Sequence, residues 1–319
     1  MTVFPARHKS TAAALVADLA APAELIGEPG RMIVSLAALS ELPPGGLAFC
    51  NAAPEDIAAR LARASGATVV ASSACVSAAR GLVGRMTVIA VPDPRRYFIR
   101  AFNRLVAPEV VRQTGIAPTA TIHPEAKLTE GVSVGPGALI DRGVAIGAGS
   151  TIFGGVQIYE GTRIGRGVVV QANCAVGSHG QSYERDDDGQ FLLMPHFSNV
   201  VIGDDVIVGA NTTIVRGTLQ DTVIGARTIV GNNVIVGHNV VVGEGCHVGA
   251  GVILCGSSRI GDGCWLSIAA VIKSVPVGAG AMVGPGAIVT RPVDAGAMVN
   301  GFPARVTAKV NNYNEVTGR

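Results

Sequence analysis

The heptapeptide from Val234 to Val240 places a single imidazole, that of His238, in a run of aliphatic residues and glycines. Histidine can take up and release a proton near neutral pH, because its ordinary pKa is about 6.5. A lone histidine among apolar repeats is equally compatible with a buried structural role. The organisation of the rest of the chain has to decide between the two interpretations.

Aliphatic residues recur at every sixth position through most of the chain after residue 115, and a glycine or another small residue usually follows each one. A six-residue repeat is the signature of a parallel β-helix, in which three hexads form one triangular coil and the aliphatic residues point inwards. The 26 hexads predict a mainly β fold with eight to nine coils. The repeat positions are Ile116, Ile122, Leu128, Val134, Ile140, Ile146, Ile152, Ile158, Ile164, Val170, Val176, Ile202, Val208, Ile214, Ile224, Val230, Val236, Val242, Val248, Leu254, Ile260, Leu266, Ile272, Val277, Val283 and Val289.

Two insertions, residues 177–201 and 215–223, interrupt the repeat. If each is a loop between consecutive hexads, the hexad count aligns one column of corner residues along the prism, formed by Ser178, Arg216, His238, Gly256 and Ser274. Both loops then leave the prism on the edge that carries His238. Long insertions in a compact repeat are usually functional, so this alignment favours a catalytic His238. The alternative is that the loops only make contacts between subunits.

Three segments are predicted. Residues 1–108 alternate helical and extended signals and predict a small α/β domain, with a helix that begins at a Ser10 or Thr11 N-cap. Residues 109–294 form the β-helix, and residues 295–319 form a short C-terminal tail. The predicted N-terminal helix makes a signal peptide the weaker interpretation of residues 1–21, and no apolar run is long enough to span a bilayer.

Composition narrows the classes of function. The chain has 25 basic and 23 acidic residues, a balance that gives no electrostatic footprint for nucleic acid. The six cysteines form neither a CxxC pair nor a cluster with zinc-ligand spacing, so we expect no metal site and no disulfide framework. They are interpreted as small buried residues of a cytoplasmic protein.

The segment from Asn199 to Gly225, together with residues 237–240, resembles the UDP-3-O-acylglucosamine N-acyltransferase family of the lipid A pathway. Residues 33–51 and 88–98 are similar to the uridine-binding domain of that family, and the similarity extends over most of residues 10–305. The resemblance implies a left-handed β-helix, a homotrimer, His238 as the general base, and Phe49 and Asn51 near a nucleotide base. It also implies a UDP-linked amino sugar as acceptor and acyl-acyl carrier protein as donor, with no permanently bound cofactor.

The chain departs from the family pattern at several positions that contact the substrates in that family, and not at positions that form the β-helix scaffold. The family's long C-terminal helix has no counterpart after Val310. We therefore expect an altered acceptor, donor or both. The departures are Val215 and Gly231 in place of aspartates, Ser274 and Val275 where a second histidine is usual, His179 in place of a loop aspartate, Gln181 in place of an aromatic residue, and the lack of a tyrosine in residues 50–58.

An amine acceptor must lose a proton before it attacks a thioester, and a neutral imidazole can remove that proton, an effect of about 10²–10⁴-fold. The attack forms an oxyanion, which the backbone N–H of Gly256, one coil beyond His238, is predicted to stabilise. Arg216 is predicted to hold an acceptor phosphate. The other predicted contacts of the acceptor are Ser178, His179, Asn232 and Asn239.

The donor stays open between acyl carrier protein and coenzyme A. The segment Asn300–Arg305 resembles the stretch with which hexapeptide acetyltransferases contact coenzyme A, so Pro303, Ala304 and Arg305 are predicted donor contacts together with Ser274. The sequence does not decide the acyl length or the sugar and nucleotide of the acceptor. It also does not decide whether His179 acts as a replacement acid or base.

Three alternatives remain. One is an acetyl-CoA-dependent N-acetyltransferase of a nucleotide-linked amino sugar, and another is a non-enzymatic β-helix binding protein. A γ-type carbonic anhydrase, which needs three converging histidines, is disfavoured because the hexad count places His238 and His247 on different faces.

Overall fold

The computed structural model describes residues 3–61, 64–106 and 115–309. The chain divides into two compact units, residues 1–111 and 112–319. The predicted domain boundary at 108/109 lies outside the described residues. Each unit has a hydrophobic core of its own.

The first unit is a six-stranded sheet in the order β1-β3-β4-β5-β6-β2, with β1 and β2 antiparallel to their neighbours and the inner strands parallel. Two short 3₁₀ turns, Leu39–Glu41 and Ser73–Cys75, follow β3 and β5. The elements are β1 (Val3–Thr11), α1 (Ala12–Leu19), β2 (Glu24–Ile26), β3 (Met32–Ala37), β4 (Gly46–Cys50), α2 (Pro54–Leu61), β5 (Thr68–Ser72), α3 (Val76–Arg80), β6 (Thr87–Val91) and α4 (Pro94–Val106).

The N-terminal prediction is confirmed at its first helix, where the Thr11 side chain accepts a hydrogen bond from the Ala14 N–H at 3.1 Å and caps α1. Strands β1 and β2 were not predicted. The strand β1 contains Pro5 and several basic residues and has no clear apolar alternation, which is compatible only with the edge position that it occupies. In the described ranges, no helix is long and apolar enough to cross a membrane.

The second unit is a left-handed parallel β-helix, which confirms the predicted fold class. Most strands contain two or three residues and end on an aliphatic residue of the repeat. In its first part they are β7 (Thr121–Ile122), β8 (Lys127–Leu128), β9 (Ser133–Val134), β10 (Leu139–Ile140), β11 (Ala145–Ile146), β12 (Thr151–Ile152), β13 (Gln157–Ile158), β14 (Arg163–Ile164), β15 (Val169–Val170), β16 (Ala175–Ser178), β17 (Tyr183–Arg185), β18 (Phe191–Leu193), β19 (Val200–Ile202), β20 (Ile207–Val208) and β21 (Thr213–Val215). They continue as β22 (Thr222–Ile224), β23 (Ile229–Val230), β24 (Ile235–Val236), β25 (Val241–Val242), β26 (His247–Val248), β27 (Ile253–Leu254), β28 (Arg259–Ile260), β29 (Trp265–Leu266), β30 (Val271–Ile272), β31 (Pro276–Val277), β32 (Met282–Val283), β33 (Ile288–Val289), β34 (Ala297–Asn300) and β35 (Arg305–Lys309).

Apart from β17 and β18, which pair with each other in a separate hairpin, these strands form three sheets, one on each side of a triangular prism. The nine-stranded sheet contains β7, β10, β13, β16, β21, β24, β27, β30 and β33, the eight-stranded sheet begins with β8, and the ten-stranded sheet begins with β9. The chain visits the nine-, eight- and ten-stranded sheets in turn. Ordinary coils pair residues 18 apart, as Ile140 pairs with Ile158.

Both insertions leave the prism at the same corner. The first lies between β16 and β19 and the second between β21 and β22, so each connects the nine-stranded sheet to the eight-stranded sheet. His238 lies on the same connection, between β24 and β25, in the coil after the second insertion. We call this connection the His238 corner, formed by residues 177–199, 216–221, 237–240, 255–258 and 273–275. The predicted placement of both insertions on the edge that carries His238 is therefore confirmed.

Three cysteines of the β-helix are buried, as predicted, and they also have a specific hydrogen-bonding role. Each thiol lies just before a strand and donates a hydrogen bond to the carbonyl of a glycine in the next coil. Ser150, Thr212 and Thr228 do the same with their hydroxyls, which explains why cysteine is accepted at these positions. The thiol pairs are Cys174 with Gly209, Cys246 with Gly261 and Cys264 with Gly278, each at 3.1 Å.

The C-terminal segment differs from the predicted separate tail. Strand β34 pairs in parallel with β32 and thus adds to the ten-stranded sheet, and β35 folds back antiparallel to β34. The segment therefore closes the end of the β-helix. The period of six fails here because β35 reverses direction, and the remaining residues 310–319 lie outside the described part of the chain.

Ile214 and Leu219 give a test of this core, because Ile214 is fully buried while Leu219 is 76% exposed. We expect Ile214→Ala to lower the free energy of unfolding by about 2–5 kcal/mol, through lost burial and a cavity. Leu219→Ala should change it by less than about 1 kcal/mol. Urea unfolding followed by circular dichroism measures both, and equal losses would contradict an inward-facing hexad position.

Candidate functional site

His238 is held at the His238 corner by the turn that follows β24. Its backbone carbonyl accepts a hydrogen bond from Ser257 N–H at 2.8 Å, and its Nε2 lies 3.1 Å from the hydroxyl of Ser182 in the first insertion. The other ring nitrogen, Nδ1, is buried and has no hydrogen-bond partner in the described residues. The ring is half-buried, so one side remains open to a substrate.

Gly256 lies directly beyond His238 in the next coil, as predicted. A Cβ at this position would overlap Nε2 of His238 and would lie 2.7 Å from its Cε1, so only glycine allows the ring to lie there. The neighbouring Cys255 and Ser257 N–H groups donate to Ile272 and His238 carbonyls. Within the described residues the Gly256 N–H donates to no backbone carbonyl. Its position beside the imidazole is suited to an oxyanion.

The first insertion also brings a second imidazole to the site, that of His196. Its ring lies edge to face with the His238 ring, with centroids 5.4 Å apart and planes inclined by 75°. Sequence reasoning missed both His196 and Ser182, because distance along the chain gives no register inside a long loop. One feature of the sequence could have indicated them. The insertion that returns to the His238 corner contains histidine as well as serine.

Arg216 does not point to the acceptor as predicted. Only 8% of the residue is exposed, and its guanidinium donates to the Glu160 carbonyl at 2.6 Å and to the Asn199 side chain at 3.3 Å. The predicted phosphate contact is therefore replaced by a structural one, because the side chain is turned under the first insertion. The column also shifts at its first rung, since Ser178 pairs with Val215 and its carbonyl accepts from the Arg216 N–H.

Asn239 likewise holds the scaffold rather than presenting a free amide. Its Oδ1 accepts hydrogen bonds from the Thr218 N–H at 2.7 Å and hydroxyl at 3.1 Å, which fastens the second insertion to the turn that carries His238. Its φ of 60° lies in the left-handed region, where asparagine is tolerated. The predicted acceptor contact is thus corrected, since the amide is already engaged.

A carboxylate that the sequence did not single out joins the two insertions. Asp221, in the second insertion, accepts hydrogen bonds from the Ser198 hydroxyl at 2.5 Å and from the Asn199 N–H at 2.9 Å, and it forms an ion pair with Arg163. The hydroxyl of Ser198 is the main cause of a pKa of Asp221 below its ordinary value, and the Asn199 N–H and Arg163 act in the same direction.

The remaining predicted residues of the β-helix lie at different distances from His238. His179 is exposed near the start of the first insertion. Ser274 lies two coils beyond His238 at the same corner. Asn232 precedes β24 and so lies at another corner, where its Oδ1 accepts from the Ala210 N–H at 2.9 Å; the structure does not bring it to His238. The C-terminal donor residues Pro303, Ala304 and Arg305 lie past β33, with the Ala304 N–H donating to Ile288 at 2.9 Å.

In the first unit, Phe49 lines a cavity of about 340 Å³ together with other apolar residues. Its ring lies 5.0 Å from the Phe98 ring. Asn51 follows β4 and is exposed, and it is not part of the cavity lining. The remaining lining residues are Phe4, Leu36, Ala37, Ala38, Leu39 and Phe102.

The first insertion projects a hairpin of strands β17 and β18 beside the site. Its register pairs Tyr183 with Leu193 and Arg185 with Phe191, so these four side chains share one face. Tyr183 and Phe191 contact each other edge to face, and Leu193 is 73% exposed. A largely apolar face beside a polar site is a common feature of interaction surfaces.

Two family models match the β-helix. The model described as bacterial transferase hexapeptide (six repeats) matches residues 221–256, which include His238. The model described as hexapeptide repeat of succinyl-transferase matches residues 142–178, 199–219 and 258–291. Its matches stop at 178 and resume at 199, at the limits of the first insertion.

Curated relatives and solved structures agree with these matches. The UDP-3-O-acylglucosamine N-acyltransferase of Aromatoleum aromaticum is 44% identical over 63% of this chain, which spans 62% of that relative's length. That of Delftia acidovorans is 38% identical over 78% of this chain and 73% of the relative. The solved UDP-N-acetylglucosamine acyltransferase of Francisella novicida superimposes with a TM-score of 0.57 at 25% identity, over 64% of this chain and 73% of that structure.

Asp221→Ala removes the carboxylate that joins the insertions, and we expect faster proteolytic cleavage of residues 177–199 at neutral pH, measured by limited proteolysis with mass spectrometry. Because the folded-state pKa is lowered, the contribution of Asp221 is full above its unfolded value of about 4 and disappears as the pH falls through the folded value. Asp187→Ala, at the exposed hairpin tip, is the control. Equal cleavage of both variants and wild type would contradict the role.

Proposed function

This chain belongs to the UDP-3-O-acylglucosamine N-acyltransferase family, and from that membership we propose that it transfers an acyl group from a thioester donor to the amine of a nucleotide-linked amino sugar. The reaction corresponds to an N-acylation step of lipid A synthesis. The observation that carries the proposal is the convergence of both insertions on the corner that holds His238, with Gly256 directly beyond it.

In the proposed mechanism His238 is the general base. Its Nε2, now 3.1 Å from the Ser182 hydroxyl, is within hydrogen-bond distance of a donor group at the open side of the ring. An amine that takes the position of this hydroxyl gives its proton to Nε2 as its nitrogen attacks the thioester carbonyl. The Gly256 N–H then stabilises the oxyanion, and the thiolate leaves with the proton that His238 returns.

The acceptor is proposed to carry uridine diphosphate. The support is the similarity of the first unit to the family's uridine-binding domain, with Phe49 partly exposed at an apolar cavity that Phe98 also lines. A flat pyrimidine base packs well against such rings. Asn51, exposed at the end of β4, offers an amide for hydrogen bonds to a base.

For the donor, the exposed apolar face of the β17–β18 hairpin supports a long acyl group rather than acetyl. A hydrocarbon chain attached to a thioester at His238 would have Tyr183, Phe191 and Leu193 within the same insertion to pack against. Acyl-acyl carrier protein and acyl-CoA both supply such a thioester. Ser274 and residues 303–305 are proposed to contact the carrier arm from the coils beyond His238.

We also propose that the active protein is a homotrimer. Several outward-facing positions of the ten- and nine-stranded sheets carry large apolar residues, with Ile207, Ile229 and Ile235 each at least 40% exposed. The eight-stranded sheet presents Arg163 and Arg259 among its outward-facing residues. Sides that expose large apolar residues are suited to packing against neighbouring copies.

His238→Ala is expected to lower kcat by at least about 10²-fold, because the amine then has no base. The assay is mass spectrometry of acylated products from UDP-linked amino sugars. His123→Ala is the control, since His123 follows β7 at the equivalent corner five coils below and its Nδ1 only accepts the Glu125 N–H. Turnover by the His238 variant at the wild-type rate would remove His238 from the mechanism.

The acyl preference is tested with Leu193→Ser and a panel of donors from acetyl to long acyl, on coenzyme A and on acyl carrier protein. We expect kcat/KM for long-chain donors to fall by up to about tenfold, because the acyl chain loses an apolar contact with the exposed Leu193 side chain, while short-chain donors are unaffected. Glu184→Ser, on the opposite face of the hairpin, should leave the preference unchanged. A wild-type preference for acetyl-CoA would instead support an N-acetyltransferase.

A further inference from the structure

The first insertion places a deeply buried imidazole against the proposed base. His196 is 2% exposed, and its Nε2 is buried without a hydrogen-bond partner in the described residues. This nitrogen faces the backbone of Gly180, where a Cβ would approach it to 2.8 Å. The adjacent backbone is fixed, because the N–H groups of Phe197 and Ser198 donate to the Thr218 carbonyl at 3.0 and 3.1 Å. A buried polar atom without a partner costs stability, which suggests a use other than packing.

The surroundings of His196 disfavour a positive charge on its ring. Burial is the main cause of a pKa below the ordinary value for histidine, and His238, His179 and Arg216 lower it further through their positive charges. A hydrogen bond with the Met194 backbone acts in the opposite direction. Since Nε2 has no partner among the described residues, we assign that hydrogen bond to Nδ1.

A neutral imidazole beside the base matters at one moment of the reaction. When His238 accepts the proton of the amine it becomes a half-buried cation. The other titratable groups of this neighbourhood are His179 and Arg216, which together with His238 act on His196 through their charges. Of these, His196 is the one in ring contact with His238. The rings are inclined by 75°, which brings the edge of one towards the face of the other, and the electron-rich face of an aromatic ring attracts a neighbouring cation.

We propose that His196 is a positioning residue for the general base, which holds the His238 ring edge to face and stabilises its protonated form during acyl transfer. The inference rests on the proposed function for its catalytic consequence. His196 belongs to the first insertion, and the β-helix repeat alone would place no such residue beside the base.

The test compares His196→Leu with His196→Phe. Leucine fills much of the same space without an aromatic ring, whereas phenylalanine keeps a ring that can contact His238 edge to face. We expect His196→Leu to lower kcat by about 10- to 100-fold with little change in KM, and His196→Phe to recover most of the loss. The acidic limb of the pH profile of kcat/KM should move to lower pH in His196→Leu, because the protonated base loses stabilisation.

His123→Leu and His123→Phe are the matched controls and should keep both wild-type kcat and the wild-type pH profile. A wild-type profile for His196→Leu, or equal losses in the Leu and Phe variants with no shift of the acidic limb, would overturn the proposal by reducing His196 to a packing residue.

A measurement that needs no turnover separates this inference from the proposed function. The ring protons of His238 are followed by NMR as a function of pH in wild type and in the two His196 variants. The titration midpoint of His238 is expected at lower pH in His196→Leu than in wild type, with His196→Phe between them. An unchanged midpoint overturns the role of His196, whereas absence of acyl transfer by the wild type with a shifted midpoint overturns only the proposed function.

Discussion

Backbone hydrogen bonds between successive coils fix the position of every functional group in the β-helix. The Gly237 N–H donates to the Leu254 carbonyl at 2.8 Å, and the Thr213 N–H donates to Val234 at 2.9 Å, so each coil is in register with the next. Neighbouring strands of a sheet lie about 4.8 Å apart. The repeat therefore determines which sequence position lies one coil away at the same corner. Gly256 faces His238 for this reason.

The two insertions convert this regular corner into a candidate active site. Partner strands that are normally 18 residues apart are 38 apart across the first insertion, where Val176 pairs with Ile214, and 22 apart across the second, where Ile214 pairs with Val236. The register resumes after each, so the extra residues are confined to the loops. Asp221 and Asn239 then fasten the loops to each other and to the His238 turn. Rigid support of this kind is what a catalytic base needs, since small displacements of reacting groups cost large factors in rate.

The sequence predicted the fold and the location of His238 because both depend on spacing alone. A strict period determines which residues share a corner. The corner at which an insertion leaves the prism does not depend on how the insertion itself folds. Side-chain roles were less predictable. Arg216 and Asn239 were interpreted as substrate contacts, yet their hydrogen-bonding capacity is taken up by loop backbone and side chains. His196 was missed because its approach to His238 depends on how the first insertion folds back after the β17–β18 hairpin, and no period governs that path.

In the proposed mechanism the acceptor amine is deprotonated at the His238 corner. A crystal structure of the protein with a bound UDP-linked amino sugar is the sharpest test of this step. We expect the amine nitrogen to lie within about 3.2 Å of His238 Nε2, in the place that the Ser182 hydroxyl now occupies, with the Gly256 N–H on the side where the thioester carbonyl would enter. An amino sugar bound with its amine at either of the other two corners, or remote from both histidines, would rule out His238 as the base.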